Sequence, residues 1–247
     1  IMCKYKRIIS LVPSQTELLW DLGLHEELVG ITKFCIHPNE MYTSKTRVGG
    51  TKTLDIEKIR LLKPDLIIGN KEENEKEQIL ALQKEFNVWM SDIYTLNDAY
   101  KMILDIGEIV NKKGESEQLV NSIKSSFESI KNYNKTVLYL IWKDPFMAAG
   151  KATFIGDMLG QINLMNVLYD SELRYPELTI EQIQQLNPEV VFLSTEPFPF
   201  KDKHINELHA LLPNAKIKLV DGELFSWYGS RMLKSFDYFR ALHEELV

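Results

Sequence analysis

Leu54–Gly69 reads LDIEKIRLLKPDLIIG, and Leu178–Leu193 reads LTIEQIQQLNPEVVFL. Six of the sixteen positions are identical, and Glu57 and Glu181 stand 124 residues apart (181 − 57) at matched places. Each copy holds an acidic or hydroxyl residue suited to cap a helix, Asp55 or Thr179. Apolar residues follow at helical spacing: Ile56, Ile59 and Leu62, then Ile180, Ile183 and Leu186. Pro64 and Pro188 stop the helix, because the residue before a proline is pushed out of the α region. DLIIG and EVVFL then read as short buried strands. A 124-residue period is too long for a solenoid, whose repeats run to ~20–50 residues. It fits two related lobes in a chain of 247 residues.

The rest of the chain extends the pattern. RIISLV (Arg7–Val12) is an apolar, β-branched strand candidate. Pro13 ends it, and Ser14 with Glu17 forms a capping-box pattern ahead of a helix through Leu18, Leu19 and Leu22. Further strands are predicted at Leu28–Ile31, Asn87–Met90, Thr136–Trp142 and Lys216–Val220. Further helices are predicted over about 73–86, 97–111, Glu115–Tyr133, Ile155–Ile162 and Arg231–Leu246. Strands alternating with helices imply βαβ units. The fold class is therefore α/β: two doubly wound lobes with central parallel sheets, joined by one long helix. The boundaries are an N-terminal lobe over 1–112, a connecting helix over 113–134 and a C-terminal lobe over 135–247. Phe34–Thr53 is a long connection of the kind that often binds ligands, and Gly49-Gly50 within it allows a turn and close backbone approach.

Composition narrows the function. The net charge is −6 with no basic stripe, which argues against nucleic-acid binding. KEENEKE (Lys71–Glu77) reads as a solvated helix start. No apolar run approaches the ~18 residues of a membrane span, and the opening IMCKYKRIISLV carries no signal peptide. Cys3 and Cys35 permit at most one internal disulfide, and no ligand spacing argues for a dedicated metal site. No nucleophile elbow, P-loop or GxGxxG turn is present, so no catalytic residue is assigned and the chain is not read as an enzyme.

The helix–proline–strand order places each helix N-terminus at the carboxyl edge of its sheet, where open α/β sheets bind ligands. Counted from Asp55 and Thr179, Glu57 and Glu181 are both second in their helices. Two roles fit them: complementing the helix dipole, and meeting a partner that touches both lobes. Aromatics collect at the same edges: Phe34, then Trp142 and Phe146, then Phe198 and Phe200, then Phe225, Trp227 and Tyr228. Such side chains serve either as core or as ligand wall; Trp20 and Trp89, inside predicted elements, are assigned to the core. His37 and Tyr42 are candidate metal-facing groups, and Arg47, Arg174 and Arg231 are candidate partners for acidic arms. Ser14 is either a cap or a donor of backbone N–H groups.

RIISLVPSQTELLWDLG, VGGTKTLDIEKIRLLKPDLIIG, TFIGDMLGQINLMNV and YPELTIEQIQQLNPEVVFLS together resemble the class III substrate-binding proteins of ABC importers. The similarity is greatest to the vitamin B12-binding branch and covers almost the whole chain. It implies two α/β lobes joined by one backbone helix, with the ligand cleft between the lobes. It also implies a corrinoid ligand, with heme or a ferric siderophore as the alternative, and no intrinsic cofactor. The expected ligand set is Ser14, Phe34, His37, Arg47, Gly49, Gly50, Trp142, Phe146, Arg174, Phe198, Phe225, Trp227, Tyr228 and Arg231. The resemblance further implies that Glu57 and Glu181 dock on an importer permease. The chain would then act as a monomer in the periplasm or on the cell surface; a cytoplasmic enzyme on a nitrogenase-like two-lobed frame is the competing class.

Overall fold

In a computed structural model, residues 4–127 and 134–246 are described. The chain divides into two compact units. Unit 1 gathers the residues up to Ile93, Asn97–Lys124 and Trp227–Met232; unit 2 gathers Tyr94–Leu96, Ser125–Ser226 and the residues from Leu233 on.

Unit 1 contains β1 (Ile8–Ser10), α1 (Pro13–Asp21), β2 (Leu28–Ile31), α2 (Asn39–Ser44), β3 (Thr46–Arg47), α3 (Ile56–Leu62), β4 (Leu66–Asn70), α4 (Lys76–Gln83), β5 (Val88–Ser91) and nearly all of α5 (Leu96–Ile109). Its sheet has the order β3-β2-β1-β4-β5, and every pairing is parallel. The chain winds outward from β1 to β3, then crosses back to β4. The switch point therefore lies between β1 and β4, and ligands of such sheets gather beyond the carboxyl ends of those two strands. The connection after β2 is more ordered than its length suggests, since it holds α2 and β3.

The helix α6 (Lys113–Phe127) carries the chain from unit 1 into unit 2. Its expected extension to Tyr133 lies outside the described residues. Unit 2 contains β6 (Lys135–Trp142), β7 (Phe146–Ala148), α7 (Phe154–Gln161), β8 (Leu164–Asn166), β9 (Glu177–Leu178), α8 (Ile180–Leu186), β10 (Val190–Ser194), α9 (Asp202–Leu211), β11 (Lys216–Val220), α10 (Gly222–Ser226) and α11 (Met232–Leu246). The order is β11-β10-β6-β7-β9, with β8 beside the first half of β6. This sheet is parallel except around β7, which runs antiparallel to β6 and β9. The link from Trp142 to Phe146 is too short for the crossover that a parallel pairing requires.

The repeated phrase folds alike in both units. The helices α3 and α8 have seven residues each, and β4 and β10 have five, all buried. Ile59 and Ile183 face the two cores, packing with Ile9 and Ile67 in unit 1 and with Leu138 and Val191 in unit 2. Each helix ends at the residue before its proline. That residue is left-handed rather than extended: Lys63 has φ 46° and ψ 60°, Asn187 φ 44° and ψ 55°. The acid after each proline ties down the start of a central strand. Asp65 accepts from the Lys6 and Arg7 N–H groups at 2.7 and 2.9 Å, and Glu189 accepts from the Thr136 N–H at 2.9 Å.

One predicted start shifts. Pro13 occupies the first turn of α1, so Val12 rather than Ser14 is the N-cap, and no side chain caps the helix. Proline is preorganised for that place and lacks an N–H to satisfy. Glu17 is thereby released from the capping role and pairs elsewhere.

Candidate functional site

Hydrogen bonds fix both paired helices at carboxyl edges. The Val48 N–H donates to Ile31 O at the end of β2, and the Asp55 N–H donates to Val48 O, so α3 starts there. In unit 2, β9 pairs with β7, and β7 pairs with the last residues of β6. The helix α8 begins directly after β9.

Glu57 and Glu181 are both exposed first-turn residues, as the cap count predicts. Their surroundings differ. The Glu57 carboxylate meets Arg60 Nη1, and the other side of that guanidinium meets Glu85, with Nε–Oε2 at 2.9 Å and Nη2–Oε1 at 2.6 Å. The two carboxylates, Glu85 first, raise the Arg60 pKa, and Arg60 holds Glu85 below the usual carboxylate range. Among the described residues no cation pairs with Glu181. Its own backbone N–H and then the Thr179 hydroxyl lower its pKa.

Of the predicted ligand residues, Ser14, Phe34, His37, Trp227, Tyr228 and Arg231 belong to unit 1 near the carboxyl ends of β1 and β2. Phe34 is 50% exposed, with Lys33 Nζ 5.1 Å from its ring centroid. His37 is half-buried, and its ring lies edge-on to Trp227 at 5.6 Å. Ser14, Trp227, Tyr228 and Arg231 are buried. Trp227 lies in a loop but is buried, with the Arg231 guanidinium 4.6 Å from its ring centroid. Arg231 in turn donates from Nε to Glu17 Oε2 at 2.7 Å and from Nη2 to Glu17 Oε1 at 3.0 Å.

Two predicted contacts in unit 1 have local explanations. Arg47 donates to the carbonyls of Tyr42 (2.6 Å) and Lys45 (3.2 Å), and its guanidinium covers the Tyr42 ring. Its charge is used to close α2. Gly49, at φ +99°, opens a turn in which the Gly50 N–H donates to Thr53 O; a Cβ on Gly49 would sit 2.4 Å from that oxygen. The turn alone requires that glycine.

In unit 2, Trp142 is 40% exposed and stands edge-on to the half-buried Phe198 at 5.6 Å. Phe146 is half-buried, pairs across with Leu178 and packs on the core. Arg174 covers the Tyr94 ring at 4.4 Å and donates from Nε to Ala152 O. Phe225 corrects the expectation. It is fully buried among Tyr139, Phe192 and Phe239, so no face is left for a ligand. Trp20 departs the other way: it is half-buried and stacks on His25 at 4.1 Å rather than joining the core. Trp89 is likewise half-buried.

The sequence offered Glu17 only as a capping partner and gave Tyr94 and Asn74 no role. Asn74 is buried beyond the switch point, accepting from the Asn70 N–H and donating to Leu11 O and Thr51 O. Glu17 beside Leu18 and Leu19 was the available signal, since a buried acid requires a cation; its partner, 214 residues away, was not readable. Cys35 is a free buried thiol with its pKa raised by burial, while Cys3 lies outside the described residues. Among the described residues, no group of three metal-ligating side chains assembles, and no helix is long and apolar enough to cross a membrane.

The two sheets, with matched helix starts at both carboxyl edges, are those of an α/β protein, and the chain belongs to the periplasmic binding protein family, whose pattern matches residues 8–211. It is 32% identical over 201 residues to the uncharacterized ABC transporter substrate-binding lipoprotein YvrC of Bacillus subtilis (strain 168), covering 75% of this chain and 62% of that relative. It is 26% identical over 195 residues to a vitamin B12-binding protein of Vibrio cholerae serotype O1, covering 76% of this chain and 70% of that one. The fold matches the crystal structure of the periplasmic heme binding protein HutB of Vibrio cholerae with a TM-score of 0.81 at 22% identity, over 96% of this chain and 98% of that one.

Proposed function

We propose that this chain is the substrate-binding protein of an ABC importer, that it captures a corrinoid without altering it, and that Glu57 and Glu181 dock it on the permease. The observation that carries the reading is the pair of exposed second-position glutamates, one per unit, each at a carboxyl edge of its sheet. Charges set apart in this way orient an encounter and fix its register more than they add affinity. Family membership and the B12-binding and lipoprotein relatives support the class. The chain then works as a monomer outside the cytoplasm, with the permease and the metal chelate as partners and no nucleic acid.

For the ligand, the support is aromatic. Each unit by itself carries rings at its carboxyl edge that suit a flat conjugated ligand: Trp142 with Phe198 in unit 2, and Phe34 with the His37–Trp227 pair in unit 1. Heme is the second reading. It is favoured by the half-buried imidazole of His37 and by the heme-binding structural neighbour.

Calorimetry and absorbance titration with cyanocobalamin, hemin and a ferric siderophore test the reading together. Cyanocobalamin is expected to bind. Binding of hemin alone moves the assignment to heme, and turnover of a small substrate with no binding of the three overturns the transport reading. Glu57→Ala with Glu181→Ala is expected to leave ligand affinity unchanged.

A further inference from the structure

Trp227–Arg231 joins α10 to α11, whose residues apart from Met232 belong to unit 2, yet with Met232 it packs as part of unit 1. Three features hold it there. Glu17 and Arg231 form a two-pronged ion pair with side chains only 4% and 8% exposed. Gly229, at φ +113°, brings the backbone so near α1 that an added Cβ would sit 3.1 Å from Ser14 O and 3.5 Å from Leu18 Cβ. The Met232 N–H closes the turn onto Gly229 O. This strap crosses the start of α1, at the carboxyl end of β1, which is one side of the switch point where such sheets bind ligands. The strap also holds the Ser230 hydroxyl, 6% exposed and without a hydrogen-bond partner among the described residues. Buried polar groups of that kind are uncommon where no ligand or water is to be met.

We infer that Glu17 and Arg231 are positioning residues for ligand recognition. Their ion pair fixes the strap on α1, and the guanidinium so fixed holds the Trp227 ring against His37. The inference rests on the ligand-binding reading above. The logic is geometric. Glu17 takes Nε and Nη2, which sets the guanidinium plane, and the indole lies 4.6 Å from its carbon. A planar fork fixed at one edge offers its face to the ring in a single orientation. A ring preset in this way loses less freedom when a flat conjugated ligand arrives.

Removing either charge alone strands the other in the interior and risks unfolding. The informative variant is therefore Glu17→Met with Arg231→Met, which keeps the volume and removes both charges. In protein labelled with fluorotryptophan, four signals are expected, and Trp227→Phe assigns the one that matters. In the double variant the thermal midpoint is expected to stay within about 5 °C of wild type. The Trp227 signal should shift and broaden while those of Trp20, Trp89 and Trp142 remain. Affinity for whichever of cyanocobalamin or hemin the wild type binds should fall about tenfold. An unmoved Trp227 signal overturns the inference, as does a moved signal with unchanged affinity. If the wild type binds neither probe, the ligand reading fails and the recognition role fails with it. The Trp227 signal still decides whether the pair holds the ring.

Discussion

The helices α3 and α8 share length, register and proline stop, but they carry different charge. Residues 55–63 hold two acids, Asp55 and Glu57, and three bases, Lys58, Arg60 and Lys63; residues 179–187 hold Glu181 and no base. The place of Arg60 is taken by Gln184, which donates to Leu211 O. One glutamate is therefore shared with an internal guanidinium, and the other stands over a neutral helix. The two copies share what packing demands and differ on their exposed faces.

The largest expected effect tests the shared part. Ile59→Ala and Ile183→Ala should each cost about 2–5 kcal/mol, since both side chains are buried at matched core positions. Urea titration reads both. A loss below about 1 kcal/mol at either site breaks the equivalence of the two struts.

The next effect tests the difference. With the importer reconstituted in proteoliposomes, Glu181→Ala should lower its stimulated ATP hydrolysis about tenfold and Glu57→Ala only about threefold. Arg60 competes with any incoming cation for Glu57, and an exposed pair of this type is weak enough to be exchanged. Arg60→Gln should accordingly raise the stimulation. Equal losses at the two glutamates, with no effect of Arg60→Gln, would show that the internal pair does not matter.

A smaller effect separates the helix ends. Asparagine adopts the left-handed conformation with less strain than lysine. Asn187→Lys should destabilise by about 0.5–1 kcal/mol, and Lys63→Asn should stabilise by a similar amount. Thermal melts of the two variants should move in opposite directions.

The same contrast explains what the sequence disclosed. The repeated phrase displayed its helix, stop and strand because these depend on local spacing and on apolar periodicity. Glu57 and Glu181 were legible for the same reason: a cap fixes the count from the helix start. Phe225 was misjudged because one aromatic after a strand looks the same whether it faces solvent or Tyr139. The strap stayed hidden because its partner, Glu17, lies at the other end of the chain. Ser14 and Glu17 also matched a capping box, and Pro13 overrode that local signal.

The smallest effect concerns the ionisation of Glu181. Its own backbone N–H, and then the Thr179 hydroxyl, favour the charged form and hold its pKa below the ordinary carboxylate value. A depressed folded pKa contributes stability that is present above the unfolded value and is lost as pH falls through the folded value. The carboxylate charge on α8 therefore persists in mildly acidic media in which an ordinary glutamate begins to take up protons. Thr179→Val removes the hydroxyl hydrogen bond and leaves the backbone one, so the titration midpoint of Glu181 should rise part of the way toward the usual value. Carbon-detected NMR of the side-chain carboxyl follows it directly. Thr179 is also the N-cap that accepts from the Gln182 N–H, so the same variant should lose about 1 kcal/mol of stability. A lost cap with an unmoved Glu181 midpoint would assign the lowered pKa to the helix backbone alone.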